Sequence, residues 1–263
     1  PEESIRRAAE AVAAGVDIDR LLAVAQWAPE LELMPAEKSV DQVAVTIAYL
    51  EGEAFSFYYA ENLERLRAAG VQLVPVDPAS ASELPQVDGL YIGGGFPEVH
   101  AAQLGSNADF TTSIRESVAA GMPVYAECAG LMYLARELVV DGVAHSMAGV
   151  LDLVVEQLPT PQGHGYEVAV VDRDNQFFAA GTRLVGHEFH YSRLVSGSDG
   201  ERSVLRVERG TGIGGSRDGI SSGRVFASYL HLHAGATPGW ADGFLSLAAQ
   251  YAAERDGSTA ACG

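Results

Sequence analysis

The order of apolar and polar positions divides the chain near residue 40. Residues 2–28 carry apolar side chains at helical spacing with a break near Gly15, and this pattern predicts helix. Residues 29–40 contain Pro29, Pro35 and several glutamates without periodicity, which is typical of a connector. Residues 1–40 therefore look like the end of a preceding domain followed by its linker.

Beyond residue 40, short apolar runs alternate with helical segments. Strands are predicted at residues 43–48, 71–74, 90–92 and 123–126, with helices at residues 60–69 and 109–120. Strands separated by helices favour an α/β fold with a mostly parallel sheet flanked by helices. The carboxyl ends of parallel strands lie along one edge of such a sheet, where ligands bind.

The pattern changes again after Gly149, where strand-like segments follow one another without helices between them. They cover residues 166–172, 184–192, 203–207 and 225–230, and a final helix is predicted at residues 241–253. We therefore expect one domain over residues 41–253 and a flexible tail over residues 254–263.

The charge of the chain narrows the classes of partner. Its 263 residues include 35 acidic and 17 basic side chains, which gives a net charge of −18. Phosphate backbones and anionic lipids would be repelled, so nucleic acid and membranes are not expected as partners. Two cysteines are too few for a disulfide framework and suit a reducing compartment, so we expect a cytoplasmic protein.

The sequence contains a single lysine, Lys38, and no G-x-x-x-x-G-K-[ST] motif. A phosphate-binding loop of that type needs its lysine to reach the terminal phosphates of a nucleotide. This chain is therefore not expected to act as a P-loop nucleotide-binding unit by itself.

Cys128 stands where an apolar strand is predicted to run directly into an apolar helix, in the segment Y-A-E-C-A-G-L-M. This is the arrangement of a nucleophile elbow, a tight turn whose neighbours must be small, as Ala126 and Gly130 are. A helix N-terminus would lower the pKa of the thiol and favour the reactive thiolate. The alternative is a buried structural cysteine, but the position at the corner favours a nucleophile.

A cysteine nucleophile needs donors for the oxyanion and a general base. The predicted strand 90–92 opens into three glycines, so the N–H groups of Gly94 and Gly95, together with that of Ala129, are candidates for the oxyanion site. His231 and His233 follow the last apolar strand and are candidates for the base. A metal site is not expected, because no second motif of metal-ligand spacing accompanies them.

Six segments together resemble the C-terminal glutamine amidotransferase domain of cobyrinic acid and hydrogenobyrinic acid a,c-diamide synthases. The segments cover residues 55–63, 88–98, 125–134, 163–166, 186–192 and 227–233. The resemblance implies a class I glutamine amidotransferase-like, flavodoxin-like fold. It also implies that residues 1–40 end an ATP-dependent synthetase domain.

By this resemblance, Cys128 is the nucleophile and His231 is its base. Class I amidotransferases carry an orienting glutamate two residues after that histidine, and here this position is His233. The groups left as candidates for an orienting role are His233, Glu188 and Glu127.

The candidates for contact with the substrate or with another domain are Tyr58, Tyr59, His187 and His190. Phe55 and Phe57 are expected in the core instead.

The resemblance implies that glutamine supplies ammonia for amidation of the a- and c-acetate carboxylates of a corrin in cobalamin biosynthesis. No cofactor is expected in this chain, and ATP with Mg²⁺ would bind the synthetase domain, through which the corrin substrate is also reached. The sequence does not decide whether the chain forms a homodimer. The alternatives are an amidotransferase for another tetrapyrrole or carboxylate, and a non-catalytic flavodoxin-like binding module.

Overall fold

The computed structural model describes residues 2–29, 45–196, 202–237 and 239–261. The predicted connector beyond Pro29, which includes Lys38, and Cys262 lie outside these residues. The chain forms two compact units, Pro1–Lys38 and Ser39–Gly263. Within the described segments, no helix combines the length and apolar character that crossing a bilayer requires.

The first unit contains two helices, α1 (Glu2–Gly15) and α2 (Ile18–Gln26), which confirms the predicted break near Gly15. Asp17 begins α2, because its side chain accepts the Arg20 N–H at 2.9 Å. No residue of either helix is buried, and the Trp27 side chain is 85% exposed. The apolar faces of both helices are therefore uncovered within this unit.

The second unit begins with alternating strands and helices. They are β1 (Thr46–Leu50), α3 (Ala60–Ala68), β2 (Gln72–Val76), β3 (Gly89–Ile92), α4 (Ala101–Ser106), α5 (Ala108–Ala119), β4 (Val124–Glu127) and α6 (Ala129–Leu134). The four strands and two helices predicted for this part are all present. Strands and one helix complete the unit: β5 (Ala135–Val140), β6 (Val143–Ser146), β7 (Leu151–Gln157), β8 (Gly163–Val171), β9 (Arg183–His190), β10 (Ser192–Ser196), β11 (Ser203–Arg209), β12 (Arg217–Ser222), β13 (Val225–Ser228), β14 (His231–Leu232) and α7 (Asp242–Ala261).

The described strands form a large sheet in the order β14-β9-β8-β11-β12-β13-β4-β3-β1-β2. The pairs from β13 to β2 are parallel and those from β14 to β13 are antiparallel. The α/β class is as predicted, but the sheet is mixed, because short connections without a crossover helix allow antiparallel pairing. A smaller sheet has the strand order β10-β7-β5-β6. The sequence pattern did not predict β5, β6 or β7.

Both faces of the parallel strands are buried, so their sequences are almost continuously apolar. Tyr125 of β4 stacks on Phe226, with ring centroids 5.6 Å apart, and contacts Phe244 of α7 on the same side. Phe55 is fully buried against Tyr133 of α6, in the other half of the core. Phe55 is thus a core residue, as expected.

The last helix, α7, continues past residue 253, where the sequence pattern ended it, and reaches Ala261. Glu254 accepts two hydrogen bonds from the Arg224 guanidinium, at 2.7 and 2.8 Å. At least the first part of the segment expected as a tail is therefore helical, and it is tied to the turn between β12 and β13.

The junction of β4 and α6 is a tight turn at Cys128, whose φ is +49° and ψ is −98°. The Cys128 N–H donates to the Ser228 carbonyl at 2.7 Å, and the Gly130 N–H donates to the Gly93 carbonyl at 3.2 Å. These bonds attach the turn to the ends of β13 and β3, its neighbours in the sheet. A side chain at Gly130 has no room, because its Cβ would lie 2.5 Å from the Ile92 carbonyl oxygen.

We expect Gly130→Ala to lower the free energy of unfolding by about 1–3 kcal/mol, because the added methyl forces the turn away from β3. Urea-induced unfolding measures the change. Gly257→Ala in α7 is the matched control, since nothing lies within 4 Å of its added carbon. The control should be unchanged or about 1 kcal/mol more stable. Equal stability of the two variants would contradict close packing at the turn.

Candidate functional site

A cavity of about 410 Å³ opens at the carboxyl edge of the parallel strands and holds both Cys128 and His231. Its other lining residues are Ser56, Phe57, Gly95, Phe96, Glu98, Met132, Gln157, His187, Phe189, His190, Tyr191 and Ser192. Phe57 was expected in the core but is 42% exposed at this cavity. The segment before α3 bends back across the sheet edge there, which the local sequence pattern does not reveal.

The Cys128 side chain is buried, and its sulfur lies 3.8 Å from the Phe189 carbonyl oxygen. Burial, together with the charges of Glu98, Glu127 and Asp218, raises the pKa of the thiol to about 12. The Ala129 N–H lowers the pKa, but by less. The expected lowering at the helix N-terminus is therefore outweighed by loss of hydration, and the resting group is the neutral thiol.

The glycine segment after β3 differs from expectation at Gly94. Its N–H donates to the Phe57 carbonyl at 3.0 Å and its carbonyl accepts the Phe57 N–H at 3.1 Å, so this N–H is already paired. A Cβ on Gly94 would lie 2.6 Å from Cε1 of His231, so this glycine makes room for the imidazole ring instead. Gly95 lines the cavity, and the Ala129 N–H approaches the thiol.

His231 lies on the short strand β14, opposite His187 of β9, and is 4% exposed. Its ring stacks on that of His187, with centroids 4.7 Å apart, and meets the edge of Phe57 at 5.2 Å. Burial, followed by repulsion from His187 and His190, lowers the pKa of His231 to about 3. The imidazole is therefore neutral at pH 7 and able to accept a proton.

The three candidates for orienting His231 lie in different places. Glu127 Oε2 is 3.9 Å from His231 Nδ1. His233 is partly exposed, with Nε2 3.6 Å from Glu61 Oε2. Glu188 lies beside a different histidine, with Oε2 3.4 Å from His190 Nε2. Of the three, Glu127 is therefore the one whose carboxylate is next to His231.

The four candidates for substrate or domain contact are also separated by the structure. The Tyr58 hydroxyl donates to the Leu50 carbonyl at 2.5 Å and accepts the Gly93 N–H at 2.9 Å, so it supports the strand ends. The Tyr59 hydroxyl hydrogen-bonds His187 Nδ1 at 2.8 Å. His187 and His190 line the cavity, but Tyr58 and Tyr59 do not.

Two buried carboxylic acids near this site were not singled out from the sequence. Asp218 accepts the N–H groups of Tyr229 and Leu230, at 3.2 and 3.1 Å, and so holds the segment that precedes His231. Burial raises the pKa of both Glu167 and Asp218, and the charge of Asp218 raises that of Glu167 further. The available signal was an acidic residue within an apolar strand, Glu167 in β8.

Glu98 also received no role from the sequence, although it ends the G-G-G-F-P-E segment. It lines the cavity, and burial raises the pKa of its carboxyl. Among the residues that the structure describes, no three or more His, Cys, Asp or Glu side chains are grouped to hold a metal ion.

Residues 46–238 match the family of CobB/CobQ-like glutamine amidotransferase domains. The chain belongs to this family. Solved structures agree on the fold: one described as a glutamine amidotransferase has a TM-score of 0.55 at 21% identity, covering 77% of this chain and 98% of its own. PurLQS of Thermotoga maritima gives a TM-score of 0.55 at 16% identity, covering 78% of this chain and 97% of its own.

Curated relatives named cobyrinate a,c-diamide synthase are similar in sequence to this amidotransferase domain. That of Magnetococcus marinus is 40% identical over 86% of this chain and 50% of its own length. The relative from Streptococcus sanguinis is 41% identical over 85% of this chain and 49% of its own length. The relative from Methanosarcina acetivorans is 37% identical over 97% of this chain and 54% of its own length. The chain thus spans about half the length of the curated relatives it matches.

We expect His231→Gln to make the stability of the protein less sensitive to acid. The folded chain holds His231 neutral down to a pKa of about 3, whereas the unfolded chain protonates it near 6.5. Its contribution to stability is therefore present above pH 6.5 and is lost as the pH falls towards 3, by up to about 1.4 kcal/mol per pH unit.

Urea unfolding at pH 6.5, 5.5 and 4.5 gives the free energy of unfolding of the parent and of His231→Gln. We expect this free energy to fall less per pH unit in His231→Gln than in the parent. His164→Gln, at an exposed position, is the control for loss of an imidazole. If the free energy of unfolding falls equally with decreasing pH in the parent and in His231→Gln, a buried neutral His231 is contradicted.

Proposed function

We propose that this chain is the glutaminase part of an ATP-dependent amidotransferase that acts on the a- and c-acetate carboxylates of cobyrinic or hydrogenobyrinic acid. The observation that carries the proposal is the cavity in which the turn-held Cys128 and the neutral His231 lie together. Family membership and relatives named cobyrinate a,c-diamide synthase supply the reaction class.

In this proposal, Cys128 attacks the γ-carboxamide carbon of glutamine while its thiol proton passes to His231. Because burial separates the pKa values of the thiol and the imidazole so widely, the proton moves together with the attack rather than before it. The N–H groups of Gly95 and Ala129 donate to the oxyanion. Gly94 is left out of this role because its N–H is bonded to Phe57.

The tetrahedral intermediate then loses its amine. The carbon–nitrogen bond breaks, the His231 imidazolium gives its proton to the leaving nitrogen, and ammonia and a Cys128 thioester result. Water adds to the thioester carbonyl and passes a proton back through His231 to the departing sulfur, which releases glutamate and restores the thiol. Both halves of the reaction use the same base.

The remaining components belong to the other half of the proposed enzyme. ATP and Mg²⁺ would activate the corrin carboxylate there, and ammonia would reach it from the Cys128 cavity. His187 and Phe57, at the cavity, are the residues we assign to the side facing this domain, with Tyr59 behind His187. The uncovered apolar faces of α1 and α2 support the assignment of residues 1–40 to that preceding domain. We place the protein in the cytoplasm.

We expect a diazo-ketone analogue of glutamine to label Cys128 covalently, because its reactive carbon occupies the position of the γ-carboxamide. A Cys262→Ser chain leaves Cys128 as the remaining cysteine, so intact mass should show one label per chain. Addition of Cys128→Ala should abolish both the label and glutamate release. Excess glutamine should protect the thiol from the analogue. A non-catalytic binding module predicts no label in either chain.

The corrin reaction is tested with a chimera that carries the N-terminal half of the Magnetococcus marinus relative before this chain. With ATP, Mg²⁺, cobyrinic acid and amide-¹⁵N glutamine, we expect ¹⁵N in the a- and c-amides. Cys128→Ala should lose transfer from glutamine but keep it from free ammonium. Ammonium-dependent amidation without glutamine-dependent amidation in the parent chimera would contradict the proposal.

A further inference from the structure

Glu127 is a buried carboxylate directly before the nucleophile, and its side chain is 3% exposed. Its Oε1 accepts the Tyr125 hydroxyl at 3.0 Å and the Leu232 N–H at 3.1 Å. Its Oε2 accepts the Tyr91 hydroxyl at 3.3 Å. Three donors from β3, β4 and β14 therefore fix this carboxylate without a cationic partner among them.

The Glu127 carboxylate also faces the imidazole of His231. Oε2 lies 3.9 Å from Nδ1 of His231, and that nitrogen is buried without a hydrogen-bond partner in the described residues. Gly94 lies against the edge of the same ring, with His231 Cε1 in the space of its missing side chain. The imidazole is thus confined on one side by the glycine and faces a carboxylate with Nδ1.

The carboxylate is also bonded to the backbone that carries the base, since Leu232 directly follows His231. Asn62 strengthens this attachment: it donates to the Leu232 carbonyl at 2.8 Å and accepts the Ala234 N–H at 2.7 Å. Glu127 therefore fixes the position of β14 as well as facing its imidazole. Such a placement is what an orienting carboxylate needs in order to hold the tautomer of a catalytic histidine.

We infer that Glu127 is the positioning residue of His231 in the proposed glutaminase reaction, in place of the carboxylate that His233 replaces. The inference rests on the proposed function. When His231 takes the thiol proton, Nδ1–H of the imidazolium faces the Glu127 carboxylate, which remains ionised and compensates the new positive charge. When the proton passes to the leaving amine, the pair returns to a neutral imidazole beside a carboxylate.

A pH signature follows from the burial of this group. Burial raises the pKa of Glu127 to about 7, while its donors Leu232, Tyr125 and Tyr91 lower it. Other groups near Glu127 are Tyr58, Tyr59 and Cys128, whose pKa values are all raised, and His231. Between pH 5 and 8, Glu127 is therefore the group of this set that changes charge.

The test measures the rate at which the diazo-ketone analogue labels Cys128, and the rate of glutamate release, from pH 5 to 9 in the 263-residue chain. We expect the parent rates to fall as the pH drops through about 7. In Glu127→Gln, both rates should be roughly 10²-fold lower than in the parent at high pH, a magnitude typical of acid–base assistance. The rates of this variant should not fall as the pH drops through about 7. Glu61→Gln, beside His233, should keep the parent rate and profile.

Tyr125→Phe is the variant that separates positioning from structure. It keeps the carboxylate but removes a hydroxyl donor that favours its ionised form, so the fall in rate should move to higher pH. A purely structural Glu127 predicts no such movement. This variant decides the question even if Glu127→Gln fails to fold by circular dichroism.

The inference is overturned if folded Glu127→Gln keeps the parent rate and pH profile, or if Tyr125→Phe leaves the profile in place. Persistence of glutamine hydrolysis in Cys128→Ala would instead overturn the proposed function. A silent Cys128→Ala beside a fully active Glu127→Gln would overturn this inference alone.

Discussion

The turn at Cys128 is the constraint on which the rest of the site depends. A non-glycine residue with a φ of +49° persists only where its surroundings impose it. Here the imposing contacts are two backbone hydrogen bonds, from Cys128 to Ser228 and from Gly130 to Gly93. They join the turn to both neighbouring strands, so the sulfur, the glycine segment and the strand before His231 are positioned by one set of bonds.

Burial also sets the charge state of the site at rest. The proposed nucleophile Cys128 and the proposed base His231 are both neutral at rest, because burial raises the pKa of the thiol and lowers that of the imidazole. A reaction in this cavity must create charge in a poorly hydrated region, where fixed dipoles and a nearby carboxylate act more strongly than in water. In the proposed reaction, the placement of hydrogen-bond donors and of Glu127 therefore matters more than activation of the thiol in advance.

The sequence was most informative where structure is local. Alternating apolar runs and helical segments predicted the parallel strands, and small residues around Cys128 indicated the turn. It was least informative where distant segments meet: the return of Phe57 onto Gly94 occupies an N–H that looked free, and β5 to β7 pair in a separate sheet. The pKa of Cys128 was mispredicted for the same reason, because burial of its side chain depends on tertiary packing rather than on the helix that follows.

The burial of the Cys128 sulfur, which lies beside the Phe189 carbonyl, has a consequence for its oxidation. Peroxide and disulfides react with exposed thiolates, and this thiol is neither exposed nor ionised at rest. If Cys128 is the nucleophile proposed above, its burial and neutral state slow its oxidation between turnovers.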